Sequence, residues 1–194
     1  MIGQTSKKLY SFMHNIDELK TILSEADCLI SAEQINDALD NMAEQITADL
    51  GDKLPLVVCV MNGGLIPTAA LLQRLTFPLE IDYVQASRYG KEIQGSTLHW
   101  SRFPEAEFEG REVLIVDDIF DQGHTLEAII KWFEEKGAKN VYSATVVNKL
   151  HDRKVEMRPD YNGLDVEDRF LFGYGMDYQG YFRNLQAIYA VKGK

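Results

Sequence analysis

The chain is predicted to be an α/β protein with a mostly parallel central sheet flanked by helices. Three observations predict it. Two short apolar runs, L-P-L-V-V-C-V-M (54–61) and V-L-I-V (113–116), are continuous rather than alternating, which suits strands buried on both faces. Each leads through a turn into a segment of helical period, and alternating strands and helices indicate a parallel sheet. No internal repeat, low-complexity tract or linker divides the 194 residues, so they are read as one domain with a substantial core.

Taken in order, residues 17–25 are assigned a short helix starting at Asp17. Ser31 and Gln34 have capping-box spacing. Ile35, Leu39, Met42, Ile46 and Leu50 then recur at helical steps down to Gly51. The run 54–61 is a strand broken by N-G-G. A helix over about 65–75 carries Leu65, Ala69 and Leu72 on one side, and L-E-I-D-Y-V-Q-A (79–86) is the strand that completes a β-α-β unit. The stretch S-R-Y-G-K-E-I-Q-G-S (87–96) has no buried pattern and is read as a mobile loop. After the strand at 113–116, a helix places Leu126, Ile129, Ile130 and Phe133 on one face and ends at Gly137. N-V-Y-S-A-T-V-V-N-K (140–149) is a further strand. Residues 150–169 read as charged loop, and R-F-L-F-G-Y (169–174) and L-Q-A-I-Y-A-V (185–191) as two last strands.

A formal net charge of −10 argues against sequence-independent nucleic-acid binding, which depends on clustered Lys and Arg. No apolar run approaches the roughly 20 residues needed to span a bilayer, and M-I-G-Q-T-S-K-K-L-Y lacks the apolar core of a signal peptide. Cys28 and Cys59 fit reduced thiols better than a disulfide framework, so a cytoplasmic protein is expected. His14, His99, His124 and His151 are scattered, and each is read as a surface or loop residue rather than a ligand.

The segment D-D-I-F-D-Q-G-H-T (117–125) lies at the carboxyl edge of a sheet and the amino end of a helix. Parallel α/β folds take ligands there, and backbone N–H groups with the helix dipole favour phosphate. Gly123 allows close approach of the backbone, and Thr125 offers a hydroxyl. Asp117, Asp118 and Asp121 would repel a phosphate; sugar hydroxyls or a divalent cation reconcile the two. Neighbours in a regular strand face opposite sides, so Asp117 and Asp118 share a ligand only if the chain turns there.

Residues 113–125 resemble the phosphoribosyl pyrophosphate (PRPP) motif of type I phosphoribosyltransferases: an apolar strand, two acidic residues, two apolar residues, then Asp-x-Gly-x-Thr. Further parts follow in the family's order. V-M-N-G-G (60–64) resembles the pyrophosphate loop and S-R-Y-G (87–90) the start of the flexible loop. V-V-N-K (146–149) resembles the strand bearing a base-recognising lysine, and D-R-F-L-F-G-Y-G-M-D-Y-Q-G-Y-F-R-N-L (168–185) the hood segment of hypoxanthine-guanine phosphoribosyltransferases of bacterial type. The resemblance spans residues 55–191.

This resemblance implies the type I phosphoribosyltransferase fold, with a core at about 50–150. A small hood over the base site would come from about 151–194, with part of 1–30. It implies transfer of the 5-phosphoribosyl group from PRPP to N9 of hypoxanthine or guanine with Mg2+, in a homodimer or homotetramer. Residues 121–125, including Gly123, His124 and Thr125, would wrap the 5′-phosphate. Asp117 and Asp118 would meet the ribose hydroxyls and Mg2+, and Asp121 would lie near N7 of the purine as general base. Amides of Asn62, Gly63 and Gly64, with the Arg183 guanidinium, would hold pyrophosphate. Ser87 and Tyr89 would belong to the closing loop. Lys149 would donate to the purine O6, Phe170 would stack on the base, Leu171 would meet its edge, and Asp177 would reach a second Mg2+ through water. Asn62 stands where many relatives carry Lys or Arg, and His124 where a basic or small residue is frequent.

Plainer assignments exist beside these: Asp121 as a helix cap, Lys149 facing solvent, Phe170 as a core aromatic, Asp177 and Arg183 as surface ion-pair members. Rival functions are a non-catalytic PRPP-sensing regulator on the same fold, or a phosphoribosyltransferase preferring xanthine. Adenine offers no acceptor at C6, so Lys149 argues against it.

Overall fold

The computed structural model describes residues 15–88 and 98–193. Asn15 caps α1 (Ile16–Glu25), its side chain accepting the Asp17 N–H at 3.0 Å. After β1 (Asp27–Ile30) comes α2 (Ala32–Leu50), where the capping box forms as read. Ser31 Oγ accepts the Gln34 N–H at 3.2 Å, and Gln34 Oε1 accepts the Ser31 N–H at 2.9 Å. Ile35, Leu39, Met42, Ile46 and Leu50 are all buried. Ser31→Ala should therefore cost about 1 kcal/mol in urea unfolding, with the slope unchanged.

The chain continues through β2 (Leu56–Val60), α3 (Leu65–Leu72), β3 (Glu80–Arg88), β4 (Leu98–Arg102), β5 (Glu112–Phe120), α4 (His124–Glu135), β6 (Asn140–Leu150) and β7 (Tyr161–Glu167). These strands form one sheet in the order β4-β3-β2-β5-β6-β7, parallel throughout except at β4. β8 (Leu171–Phe172) and β9 (Ile188–Ala190) pair antiparallel, and β1 joins β9 to complete a small second sheet. No helix among the described residues is long and apolar enough to cross a membrane.

β5 is buried on both faces. Leu114 and Val116 join the core under α2 and α3, and Val113 and Ile115 join the core under α4 with Leu126, Ile129 and Phe133. The small sheet is tied to the first core through Ile30, Leu171, Ile188 and Ala190. On its other side Phe172, Tyr178 and Val191 pack with Leu19, Ile22 and Leu23 of α1.

Four features differ from the sequence reading. β7 lies within the 150–169 segment read as loop; it is an edge strand, with Tyr161 and Val166 buried and Asn162, Asp165 and Glu167 exposed, and edges tolerate charge. β1 and β4 are short strands at sheet edges, with little apolar signal of their own. On α3 the buried residues are Pro67, Thr68 and Leu71, whereas Leu65 and Ala69 are exposed. That helix is apolar nearly all round, so its period cannot select a face. The fourth difference shapes the site. β5 does not turn at Asp117 but runs on to Phe120. It pairs with β2 only from Val113 to Val116, yet with β6 through Phe120. Residues 117–120 thus have a strand neighbour on one side only, and a gap opens between them and the end of β2.

Candidate active site

Two cavities, the larger of them in that gap, meet along residues 118–121. One, of about 430 Å³, is bordered by Asn62, Gly63, Asp117, Asp118, Asp121, Gly123, His124, Thr125 and Arg183. The other, of about 280 Å³, is bordered by Lys149, Phe170, Leu171, Met176 and Asp177. Asp118, Ile119 and Asp121 border both. The turn required for Asp117 and Asp118 to face one ligand is absent; the one-sided strand tail lets both reach the same cavity instead.

The pyrophosphate-loop segment is tightly packed. A Cβ on Gly63 would fall 2.2 Å from Asp118 Oδ2, and one on Gly64 would fall 2.5 Å from the Val116 carbonyl oxygen. Gly64 borders neither cavity, and its N–H donates to the Val60 carbonyl at 2.8 Å. Its N–H is thus engaged within the protein, and a side chain has no room there. The Asn62 and Gly63 N–H groups have no protein acceptor among the described residues. The Met61–Asn62 peptide is cis.

At the opposite wall Gly123 precedes α4 with φ of +83°, a left-handed conformation that favours glycine. No side chain caps α4, so the N–H groups of its first turn keep their capacity for an anion. Asp121 is therefore not the cap. Its Oδ1 lies 2.6 Å from His151 Nε2 and its Oδ2 lies 3.6 Å from Lys149 Nζ.

Burial, and for Asp117 the neighbouring Asp118 charge, pushes the carboxyls of this pair above the usual range; Arg183 opposes the shift. The Asp118 N–H donates to Asp117 Oδ1 at 2.9 Å. Two crowded carboxylates raised in this way are a place where a cation or hydroxyl donors would be welcome.

In the smaller cavity the Lys149 side chain is only 13% exposed and is held between Asp121 and Asp168, the latter at 3.7 Å, so it does not face solvent. Phe170 is 47% exposed, with its ring edge-on to Tyr178, whereas Phe172 is fully buried; Phe170 is not a core aromatic. Leu171 is buried in β8. Asp177 and Arg183 pair with each other, while Arg183 Nη1 donates to the Gly175 carbonyl at 2.6 Å and Asp177 Oδ2 accepts the Gly180 N–H at 2.7 Å. Ser87 lies in β3 with its backbone opposite His99. Tyr89 and the rest of the stretch to residue 97 lie outside the described residues.

Several residues at the site escaped the sequence reading. Ile119 and Met176 line the cavities but look like ordinary apolar residues. His151, taken for a surface residue, has a side chain only 5% exposed against Asp121. A signal for it existed: residues 149 and 151 lie two apart at the end of a strand, where alternate side chains share a face.

Comparison with known proteins agrees with this geometry. A model of the phosphoribosyl transferase domain matches residues 31–179. The hypoxanthine-guanine phosphoribosyltransferase of Bacillus subtilis (strain 168) is 32% identical over 165 residues, 84% of this chain and 92% of that protein. A crystal structure of a hypoxanthine phosphoribosyltransferase from Staphylococcus aureus superposes with a TM-score of 0.83 at 26% identity, covering 89% of this chain and 95% of that one. A hypoxanthine-guanine phosphoribosyltransferase from Bacillus anthracis gives a TM-score of 0.78 at 31% identity, covering 85% and 97%. With the sheet order, the acidic strand tail and the glycine-led helix start in agreement, this chain belongs to the phosphoribosyl transferase domain family and has the type I fold.

Proposed function

We propose that this protein transfers the 5-phosphoribosyl group from PRPP to N9 of hypoxanthine or guanine, giving the nucleoside monophosphate and pyrophosphate. The observation that carries it is Asp121 at the seam of two cavities, one ending in a helix start suited to phosphate, the other joining a lysine to an exposed aromatic ring. Gly123, His124 and Thr125 would hold the 5′-phosphate by first-turn N–H groups and the threonine hydroxyl. Asp117 and Asp118 would accept from the ribose hydroxyls. Asn62 and Gly63 amides would take the pyrophosphate, and Arg183 would leave Asp177 to join them. The base would lie against Phe170 and Ile119, with Lys149 donating to O6.

In the transfer, the N9–C1′ bond forms while the bond from C1′ to the pyrophosphate oxygen breaks. The purine gives up the proton it carries, and the Asp121 carboxylate beside N7 accepts it or its hydrogen bond. The paired carboxylates of Asp117 and Asp118 fit Mg2+, a hard cation that prefers oxygen ligands. No cluster of three or more His, Cys, Asp or Glu side chains suited to a metal occurs among the described residues. Asp117 and Asp118 would hold such a cation, and Asp177, which borders the same small cavity as Asp118, would assist them. Mg2+, when bound, supplies charge neutralisation to the leaving pyrophosphate.

A second copy of the chain is the proposed occupant of the exposed apolar face formed by Leu65, Leu72, Ile81 and Tyr83, next to the pyrophosphate-loop segment. A dimer or tetramer in sedimentation equilibrium is expected, and a monomer would remove this assembly. Free Cys28 and Cys59 suit a cytoplasmic setting.

Nucleotide formation from PRPP and Mg2+ should be seen with hypoxanthine and guanine, be lost on chelation, and be absent with adenine. The xanthine arm of the same assay sets the base preference. Failure to turn over any 6-oxopurine would sink the enzymatic assignment and leave the PRPP-sensing alternative.

A further inference from the structure

We propose that His151 is a positioning residue that clamps the Asp121 carboxylate, ionised, at the seam between the two cavities. The tautomer follows from its two contacts. Nδ1 accepts the Arg153 N–H at 3.1 Å, so that nitrogen carries no proton and the ring proton sits on Nε2. Nε2–H then donates to Asp121 Oδ1 at 2.6 Å. The imidazole borders neither cavity. Asp121 lies on the connection between β5 and α4, is partly exposed and caps nothing. Lys149 of β6 and His151, the residue just past its end, hold its two oxygens. A neutral donor orients the carboxylate without cancelling its charge, which a second cation would do. The other charges around it are Lys154, whose ammonium feels Asp121, and Asp168, which pairs with Lys149 and Arg153.

The role rests on assigning Asp121 to the purine proton. Wild type, His151→Ala, His151→Gln and Asp121→Asn should be compared in single-turnover rate, KM for PRPP and pH profile. In His151→Ala the rate at saturating substrate should fall about tenfold, the loss expected for one hydrogen bond to a charged group, with KM within about twofold. The sign of the pH effect is fixed: losing an N–H donor disfavours the ionised carboxylate, so the acid limb of the rate should move to higher pH. His151→Gln, whose amide N–H reaches close to the Nε2 position, should recover most of both. A His151→Ala enzyme with the wild-type rate and acid limb, but lower thermal stability, would show that the histidine only supports its loop. If alanine prevents folding, His151→Asn decides, since its shorter amide keeps a loop contact but cannot reach Asp121; wild-type behaviour there overturns the inference. An inert wild type would instead defeat the proposed activity, and an unimpaired Asp121→Asn would defeat the role of Asp121 itself.

Discussion

Asp121→Asn should slow nucleotide formation by at least about a hundredfold while PRPP binds no more weakly than to wild type. The substitution keeps the shape but removes the charge that accepts the purine proton, and general bases contribute about 10²–10⁴ in rate. It also disturbs the seam. If the new amide oxygen keeps the His151 hydrogen bond, its NH₂ faces the Lys149 ammonium 3.6 Å away, donor against donor; flipped, the conflict moves to Nε2–H. Phosphate binding is spared because Gly123 and Thr125, and the Asn62 and Gly63 amides, border the larger cavity through groups that the substitution leaves unchanged. Rapid-quench turnover and calorimetric titration of PRPP with Mg2+ separate the two effects. A rate loss under about threefold would remove Asp121 from the chemistry.

Gly123→Ala should strike both stability and phosphate binding. Its φ of +83° costs an L-residue about 1–2 kcal/mol. The added Cβ would lie 2.3 Å from Phe120 Cε2 and 2.7 Å from Val155 Cγ2, and Phe120 is fully buried and has nowhere to go. Overpacking of that kind adds about 1–3 kcal/mol. Together, about 2–5 kcal/mol should lower Tm by roughly 5–15 °C in a chain of this size. PRPP affinity should fall at least tenfold as the start of α4 shifts. Gly110 is the control, since it also has positive φ but a Cβ there would meet nothing within 4 Å. Gly110→Ala should show the strain alone and bind PRPP normally. Equal losses in the two variants would mean that the contact with Phe120 and Val155 is unimportant.

How far the sequence was legible depends on the length scale of each signal. The helix over 32–50 was readable because five apolar residues repeat at helical spacing behind a capping box, all of it local. The buried stretch of β5 was readable because four consecutive apolar residues suit a strand covered on both faces. Its continuation through Asp117–Phe120 was not, since adjacent carboxylates look like a loop unless a cavity is known to lie beside them. β7 was missed for a related reason: an edge strand of alternating Tyr, Asn and Asp resembles charged loop. The site's residue types were visible through a resemblance of motifs, but their pairings were not. Asp121 and His151 are 30 positions apart and meet only because β5 and β6 are neighbours. Arg183 and Asp177 had been given separate tasks, and that they hold each other depends on the path of the segment around Gly175 and Gly180.

The unbroken course of β5 has a dynamic consequence. The strand that is fully buried from Val113 to Val116 becomes, one residue later, the wall bearing Asp117 and Asp118, with no glycine or change of element between. The acidic pair inherits the stiffness of the core, as pre-organised groups should. Opening and closing during turnover is therefore expected from the other described walls, the 61–64 segment and the small second sheet with its glycine-marked approach. The carboxylates of Asp117 and Asp118 are thereby expected to move less than the walls around them.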